Sequence, residues 1–173
     1  MWRRTGINPI VFKGSDSAHA LIGTVFILIF TLILLVLLAY CFTPRIYQFT
    51  VPIEWLQHSV LHWVGVGLLL LSLFWIILAQ RQMGESWRIG IDRDHTPMLV
   101  KKGVFKISRN PIFLGMITTL LGLLLVLTNA LTLLSFVVGV VLISIQVRLE
   151  EKYLLTRHGD EYAEYRRRVR RWI

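Results

Sequence analysis

The sequence is poor in cysteine and in acidic residues. A single cysteine, Cys41, excludes an internal disulfide and a cysteine-rich zinc site. The chain has 10 Asp and Glu residues against 19 Lys and Arg residues, which gives a formal net charge of +9. Such an excess can indicate nucleic-acid binding, but here the basic residues stand beside apolar runs. We therefore expect them to attract anionic membrane lipid, and we expect no nucleic-acid partner.

Long stretches of the sequence lack charge altogether. Hydrophobic residues make up 55% of the chain and the mean hydropathy is +0.62, which excludes an ordinary soluble domain. About 20 apolar residues at about 1.5 Å rise each cross the ~30 Å hydrocarbon layer as a helix. The sequence therefore predicts one all-α integral membrane domain, residues 1–173, with about four transmembrane helices and a C-terminal amphipathic helical tail. The expected spans are about 18–40, 60–79, 112–127 and 131–147.

The basic residues are distributed unevenly between the ends of these spans. Three precede the first span (Arg3, Arg4 and Lys13), one lies in the first loop (Arg45), seven lie in the connector 80–110, none lies in the turn around Asn129, and eight follow the last span. Because cytosolic loops are enriched in Lys and Arg, this distribution predicts four spans with both termini and the connector in the cytosol. Residues 43–57 and Asn129 are then expected on the other side.

Two groups of residues could suggest a metal site, and neither is favoured. Glu54, His58 and His62 recur every four residues, but an interfacial helix entrance with tryptophan anchors explains them better. The connector carries Asp92, Asp94 and His95 without a third oxygen donor at calcium-loop spacing, so a solvated turn is favoured. We expect no metal.

Two polar segments bracket the last apolar hairpin. The first runs from Gly103 to Gly115, and the second begins at Glu150 and continues to Arg171, while the sequence from Met116 to Val147 has no charged residue. Both segments can therefore emerge on the same side of the membrane and face each other, which would make one polar site from two distant parts of the chain.

These segments resemble a family of membrane methyltransferases. The series Gly103-x-Phe105-x-x-x-Arg109-Asn110-Pro111-Ile112-Phe113-Leu114-Gly115, followed by Glu150-Glu151-x-x-Leu154-x-x-x-His158-Gly159-x-x-Tyr162-x-x-Tyr165, is similar to the isoprenylcysteine carboxyl methyltransferase and phospholipid methyltransferase family. The resemblance covers about residues 84–173, and Trp87-Arg88-Ile89-Gly90 is similar to the isoprenylcysteine branch. It implies a cofactor-binding methyltransferase core, 81–173, while the first two apolar runs predict an N-terminal helical hairpin, 1–80.

The resemblance implies S-adenosylmethionine bound at the cytosolic membrane face and a methyl group transferred to a lipophilic acceptor. It implies catalytic roles for Arg109 and Glu150. The implied cofactor-binding residues are Gly103, Phe105, Arg109, Asn110, Pro111, Glu150, Glu151, His158, Tyr162 and Tyr165. Asn110 replaces the usual histidine of the family's Arg-His-Pro element, and Phe113 replaces the usual tyrosine. An amide can donate a hydrogen bond to the cofactor but cannot titrate.

The acceptor class remains open at this point. The carboxylate of an isoprenylcysteine-like molecule is favoured, with a phospholipid amine or a small thiol as alternatives. A catalytically inactive membrane scaffold of the same fold is a further alternative, which Asn110 would fit. A transporter is disfavoured because no acidic or basic residue lies in the middle of any span except His62, near one edge.

Several of these residues also have structural interpretations. Gly115 and Gly122 on one face of the third span could line a lateral entrance for a lipid acceptor or could serve helix packing. The cluster Arg166–Arg171 is interpreted as an anchor for anionic lipid, and the two tyrosines could belong to an amphipathic surface helix.

Overall fold

The computed structural model describes residues 17–84 and 99–173, and every regular element in these ranges is helical. The long helices are α1 (Ser17–Phe42), α3 (Ser59–Met83), α4 (Pro111–Leu127) and α5 (Ala130–Arg168), and α2 (Pro44–Gln48) is short. Two 3-10 turns complete the order, at Glu54–Leu56 and Gly103–Lys106. The all-α prediction is confirmed.

The described helices are long and apolar enough for a membrane protein. Three qualify as spans by length and composition, Leu21–Phe42, Ser59–Met83 and Ala130–Arg168, and α4 is an apolar helix of 17 residues. Gly159 interrupts α5, and the part before the break, 130–158, would by itself extend about 44 Å at about 1.5 Å per residue, well beyond the ~30 Å hydrocarbon thickness. Only its uncharged first part, 130–147, is therefore assigned to the membrane, and the residues from Arg148 onward lie beyond the span.

The far end of the bundle is built around the turn between α4 and α5. Asn129 caps α5: its side chain accepts from the Thr132 amide at 3.0 Å, and the Thr132 hydroxyl accepts from the Asn129 amide at 3.3 Å. The Ile53 amide donates to the Thr128 carbonyl at 2.8 Å. The segment 43–57 and the turn at Asn129 thus lie at the same end of the bundle, as the sequence predicts.

The helices α3 and α4 pack against each other more extensively than any other described pair. Gly65 and Gly122 let the two backbones approach closely, because a Cβ built on Gly65 would lie 2.9 Å from the Gly122 carbonyl oxygen. The Thr119 hydroxyl donates to Ser72 Oγ across the interface at 2.9 Å. Small residues and hydroxyl pairs are typical of membrane helix contacts.

Of the two interpretations that the sequence leaves open for Gly115 and Gly122, the structure supports helix packing. A Cβ on Gly115 would lie 2.4 Å from Ile76 Cγ1, and a Cβ on Gly122 would lie 2.9 Å from Leu69 Cγ. Side chains of α3 therefore fill this face of α4, and both glycines serve helix packing.

Helix α1 packs mainly against α5. Ile29 and Ile33 of α1 form a buried cluster with Leu120, Ile143 and Val147. The division at residue 80 stays a prediction. The sequence features Arg3, Arg4, Lys13, Trp87-Arg88-Ile89-Gly90, Asp92, Asp94 and His95 lie outside the described residues.

Glu54, His58 and His62 do not share one helix. Glu54 lies in a 3-10 turn and His58 has extended backbone before α3, so only His62 is helical. The spacing of four therefore does not align the three side chains on one helical face.

Candidate functional site

The first polar segment is held by the end of α3. Gly103 has φ +61°, a conformation that favours glycine, and a Cβ there would lie 2.0 Å from Gln82 Oε1 and would displace that side chain. Gln82 Oε1 accepts from the Val104 amide at 2.7 Å. Phe105 is buried in an apolar cluster with Ala79 of α3. Gly103 and Phe105 thus support the local backbone of the site.

The next residues turn into α4. The Asn110 amide donates to Ser108 Oγ at 3.1 Å, and Pro111 then begins the helix, where its missing N–H leaves no bond unmade. Trp75 of α3 donates through Nε1 to the Pro111 carbonyl at 2.9 Å. Asn110 and Pro111 are both buried. The loop 108–110 therefore has a defined position relative to α3 and α4.

The second polar segment is carried by the part of α5 beyond the membrane. Gly159 interrupts the helix with φ +51° and ψ −124°, a conformation that favours glycine. After this break Tyr162 and Tyr165 are buried, with 1% and 6% of their surface exposed. The Tyr165 hydroxyl donates to the Phe105 carbonyl at 2.6 Å. The prediction that the two polar segments face each other is confirmed.

Glu151 is the centre of this contact. Its side chain is 7% exposed, and Arg109, itself 8% exposed, donates through Nη2 to Oε1 at 3.0 Å. Asn110 Nδ2 donates to the same oxygen at 3.2 Å. Arg171 donates through Nη2 to Oε2 at 2.7 Å, and its Nε lies 3.2 Å from each oxygen. A buried carboxylate thus has three side-chain partners from two places in the sequence, Arg109 and Asn110 in the first segment and Arg171 at the end of the second.

Residues 169–173, here named the strap, return from α5 to the loop 108–110. The Arg109 amide donates to the Arg170 carbonyl at 3.0 Å. Ser108 Oγ and Asn110 Nδ2 both donate to the Arg171 carbonyl, at 3.2 and 3.3 Å. Arg109 Nη1 donates to the carbonyl of Arg166, at the end of α5, at 2.9 Å. The strap is therefore bound along the loop 108–110 by main-chain and side-chain hydrogen bonds.

The two adjacent glutamates have different electrostatic surroundings. Burial alone would raise the pKa of the Glu151 carboxyl, but the hydrogen bond from Arg171 and the charges of Arg109 and Arg171 outweigh it and hold this pKa below its usual value. The same hydrogen bond raises the pKa of Arg171. Loss of solvent around the Glu150 carboxyl, together with the negative charge of Glu151, raises the Glu150 pKa to about 7. Burial raises the pKa of Tyr165 to about 12.

The predicted site residues fall into three groups. Arg109, Asn110 and Glu151 meet directly, whereas Gly103, Phe105, Pro111 and Tyr165 support the backbone around them. Tyr162 is also buried, and its ring packs edge-on against the Tyr165 ring, with the two ring centroids 6.1 Å apart. Glu150 and His158 stand apart from the cluster. Within residues 17–84 and 99–173 the Glu150 carboxylate has no hydrogen bond or ion pair, and His158 Nε2 is buried without a partner.

Sequence patterns missed Arg171 and Ser108. Arg171 was grouped with Arg166–Arg170 as a lipid anchor, and that interpretation is wrong for Arg171 because its guanidinium binds Glu151. The available signal was Glu151 itself, since a carboxylate next to a membrane span needs a cationic partner. Which arginine becomes the partner of Glu151 depends on the backbone path of the strap after α5.

The cluster retains capacity for a ligand. Two guanidinium groups, Arg109 and Arg171, face one carboxylate, Glu151, which leaves an excess of one positive charge. Arg109 Nε is buried and has no hydrogen-bond partner among the described residues. A buried donor without a partner costs about 1–3 kcal/mol. An anionic group at this position would satisfy both the charge and the donor.

Comparison with known proteins identifies relatives of this chain. A family model described as phospholipid methyltransferase matches residues 60–161. The Saccharomyces cerevisiae protein-S-isoprenylcysteine O-methyltransferase is 32% identical over 109 residues, which cover 61% of this chain and 46% of the relative. The Schizosaccharomyces pombe protein of the same name is 31% identical over 114 residues, covering 64% and 48%.

A third relative is shorter. An uncharacterized protein of Haemophilus influenzae is 37% identical over 62 residues, which cover 35% of this chain and 98% of that protein. The chain spans about half the length of the two yeast relatives that it matches. No solved structure matches the chain.

Proposed function

The chain belongs to the phospholipid methyltransferase family, and we propose that it is an S-adenosylmethionine-dependent methyltransferase acting at one face of a membrane. The observation that carries this proposal is the meeting of the two motif segments in one buried cluster, Arg109 and Asn110 with Glu151. From the distribution of basic residues, we assign the cytosolic face.

The residues present fit S-adenosylmethionine, which carries a carboxylate, an ammonium and ribose hydroxyls. The unpartnered Nε of Arg109 and the excess positive charge of the cluster suit the carboxylate. Glu150 is half-buried and has no hydrogen bond or ion pair within residues 17–84 and 99–173, so it offers acceptor oxygens for an ammonium or a hydroxyl. Asn110 is bound to Glu151 through Nδ2, so its amide helps to fix that carboxylate. We propose Arg109 and Glu150 as the principal binding residues.

When bound, S-adenosylmethionine supplies a methyl group on a positively charged sulfur, which is already activated toward a nucleophile. The protein then needs mainly to align the two reactants and to exclude water. Arg109 and Glu151, each less than a tenth exposed, provide fixed charges in a dry environment. The strap covers the loop 108–110 and limits the access of water to it. Asn110 cannot exchange a proton, so no proton transfer is assigned to it.

We propose a lipophilic acceptor that carries a carboxylate, as in an isoprenylcysteine. Both polar segments stand directly at the ends of apolar helices, so an acceptor dissolved in the bilayer can reach them. The names of the two yeast relatives agree with this class.

Calorimetry with purified protein in detergent tests the cofactor assignment. We expect the wild type to bind S-adenosylhomocysteine, the demethylated product of the donor. Glu151→Gln keeps the shape but removes the carboxylate charge that holds Arg109 and Arg171 in place, so it is expected to weaken this binding at least tenfold, about 1.4 kcal/mol. Glu54→Gln at the far end of the bundle is the control and should bind normally, since Glu54 is exposed and remote from the cluster. A wild type that binds neither donor nor product would contradict the proposal.

A methyl-transfer assay with radiolabelled S-adenosylmethionine compares possible acceptors. A prenylated cysteine, phosphatidylethanolamine and a water-soluble thiol are offered to the same preparation, and methyl transfer to the prenylated carboxylate is expected to be fastest. Faster transfer to the amine or to the thiol would contradict the proposed carboxylate acceptor and would identify that other class as the acceptor. Binding without transfer to any acceptor would favour the inactive scaffold.

A further inference from the structure

Arg171 makes the fullest contact with Glu151. Its Nη2 and Nε both lie within 3.2 Å of Glu151 Oε2. Oε1 also receives Arg109 and Asn110, whereas within 17–84 and 99–173 Arg171 alone donates to Oε2. The orientation of the second carboxylate oxygen therefore depends on this one side chain. Arg171 lies beyond residue 161, where the match to the family ends.

Two sets of contacts fix the strap around Arg171. The carbonyl of Arg171 accepts from Ser108 Oγ and Asn110 Nδ2, and the next side chain, Trp172, packs against the apolar cluster that joins α1, α4 and α5. The main chain of Arg171 is thus fixed to the loop 108–110 while its side chain reaches Glu151. A long side chain held in this way loses less freedom when it forms an ion pair.

We propose that Arg171 is a positioning residue of the methyl-transfer site, which orients the Glu151 carboxylate and gives the cluster its excess positive charge. This inference rests on the proposed function. Without Arg171, Arg109 and Glu151 would form a neutral pair, and the attraction of Arg109 for an anionic group would be largely cancelled. Oε2 would lose its donors, and the carboxylate could rotate away from the arrangement that holds Arg109.

Three variants test this role by calorimetry with S-adenosylhomocysteine. Arg171→Ala is expected to weaken binding at least tenfold. Arg171→Lys, which restores the charge without the two-point contact, should recover part of this loss. Arg167→Ala is the matched control, because it removes the same charge from an exposed arginine of the basic segment 166–171 that has no contact with Glu151. This variant should bind within twofold of the wild type. Thermal unfolding of each variant monitors folding.

The double variant Arg171→Ala/Glu151→Gln separates positioning from general support of the fold. If Arg171 acts through Glu151, the second substitution should add less than threefold to the loss caused by the first, because interacting residues are not additive. The kinetics supply a second readout: with a saturating donor, Arg171→Ala should lower kcat while the KM for the acceptor changes less than threefold.

The outcomes distinguish the two proposals. If the wild type binds the donor product but Arg171→Ala behaves like Arg167→Ala, or if the losses in the double variant multiply, the positioning role is overturned while the proposed function stands. If the wild type does not bind, the proposed function fails and this inference fails with it. If Arg171→Ala does not fold, Arg171→Lys and Arg171→Gln are compared, and equal binding by both would exclude a role for the charge.

Discussion

Glu150 and Glu151 are adjacent in the sequence and have opposite surroundings in the structure. Consecutive side chains on an α-helix point about 100° apart, so only one of the two can face the loop 108–110. Glu151 faces it and is neutralised by arginines, whereas Glu150 has no ion pair or hydrogen bond within the described ranges. Pairs of carboxyls whose pKa values are pushed apart are a frequent property of functional sites.

The raised pKa of Glu150 predicts a pH-dependent affinity for the cofactor. With a pKa of about 7, the carboxyl is largely protonated at pH 6 and largely ionised at pH 8. Because an ammonium or a hydroxyl is bound better by the ionised form, affinity for S-adenosylhomocysteine should rise several-fold from pH 6 to pH 8. Calorimetry across this range measures the effect.

Glu150→Gln is the control for this dependence. It should bind weakly at all pH values and should show less than half of the wild-type slope, because the amide does not titrate. An unchanged slope in Glu150→Gln would mean that another group titrates and would remove Glu150 from the binding role.

The sequence identified the central contact of the site but only part of its membership. Arg109, Asn110 and Glu151 were expected in one site because the resemblance to the methyltransferase family implies it. Arg171 could not be separated from Arg166, Arg167, Arg168 and Arg170, which have the same chemistry at adjacent positions. The distinction comes from the backbone leaving the helix at Val169, and no residue pattern encodes the path that the strap takes afterwards.

At the scale of the helices, the sequence predicted where each span lies better than how the spans pack. The expected spans 60–79 and 112–127 agree with the cores of α3 and α4. The uncharged runs determine these positions. The partner face of each helix is not encoded so simply, since glycines at Gly115 and Gly122 suit both an entrance and a close contact. The structure supports the close contact, because Ile76 and Leu69 of α3 fill the space beside these two glycines.

This packing predicts unequal effects for two glycines of the same helix. Gly65→Ala should lower the free energy of unfolding by about 1–3 kcal/mol, because the new Cβ would lie 2.9 Å from the Gly122 carbonyl oxygen and the helices would have to separate. Gly67→Ala, two residues away, meets no atom within 4 Å. It should be neutral or slightly stabilising, since glycine costs up to about 1 kcal/mol relative to alanine in a helix.

Thermal unfolding in detergent compares the two variants under identical conditions. A lower midpoint for Gly65→Ala, with Gly67→Ala at or above the wild type, is expected. Equal midpoints would show that the close contact between α3 and α4 does not limit stability.

For the whole molecule, the contacts between helix ends determine an alternating arrangement. The end of α3 meets Gly103–Lys106 beside the start of α4, through Gln82 and Val104, while the end of α4 meets the segment after α1, through Tyr47 and Leu127. Each long helix therefore runs opposite to the next along the chain. This order brings Glu151 to the same end as Arg109, which is why two segments separated by a hairpin form one site.

The alternation predicts that the site and the turn at Asn129 lie on opposite sides of the membrane. Single cysteines are introduced at Lys102, exposed beside the site, and at Gln57, exposed at the far end, in a Cys41→Ala background. In intact cells, an impermeant thiol reagent should label Gln57→Cys and should leave Lys102→Cys unlabelled until the membrane is opened, because seven basic residues of the connector favour the cytosol for the site end. Labelling of Lys102→Cys alone in intact cells would preserve the alternation and reverse the orientation. Labelling of both positions from one side would contradict the predicted four-span arrangement, because α3 would then have to leave the membrane on the side where it entered.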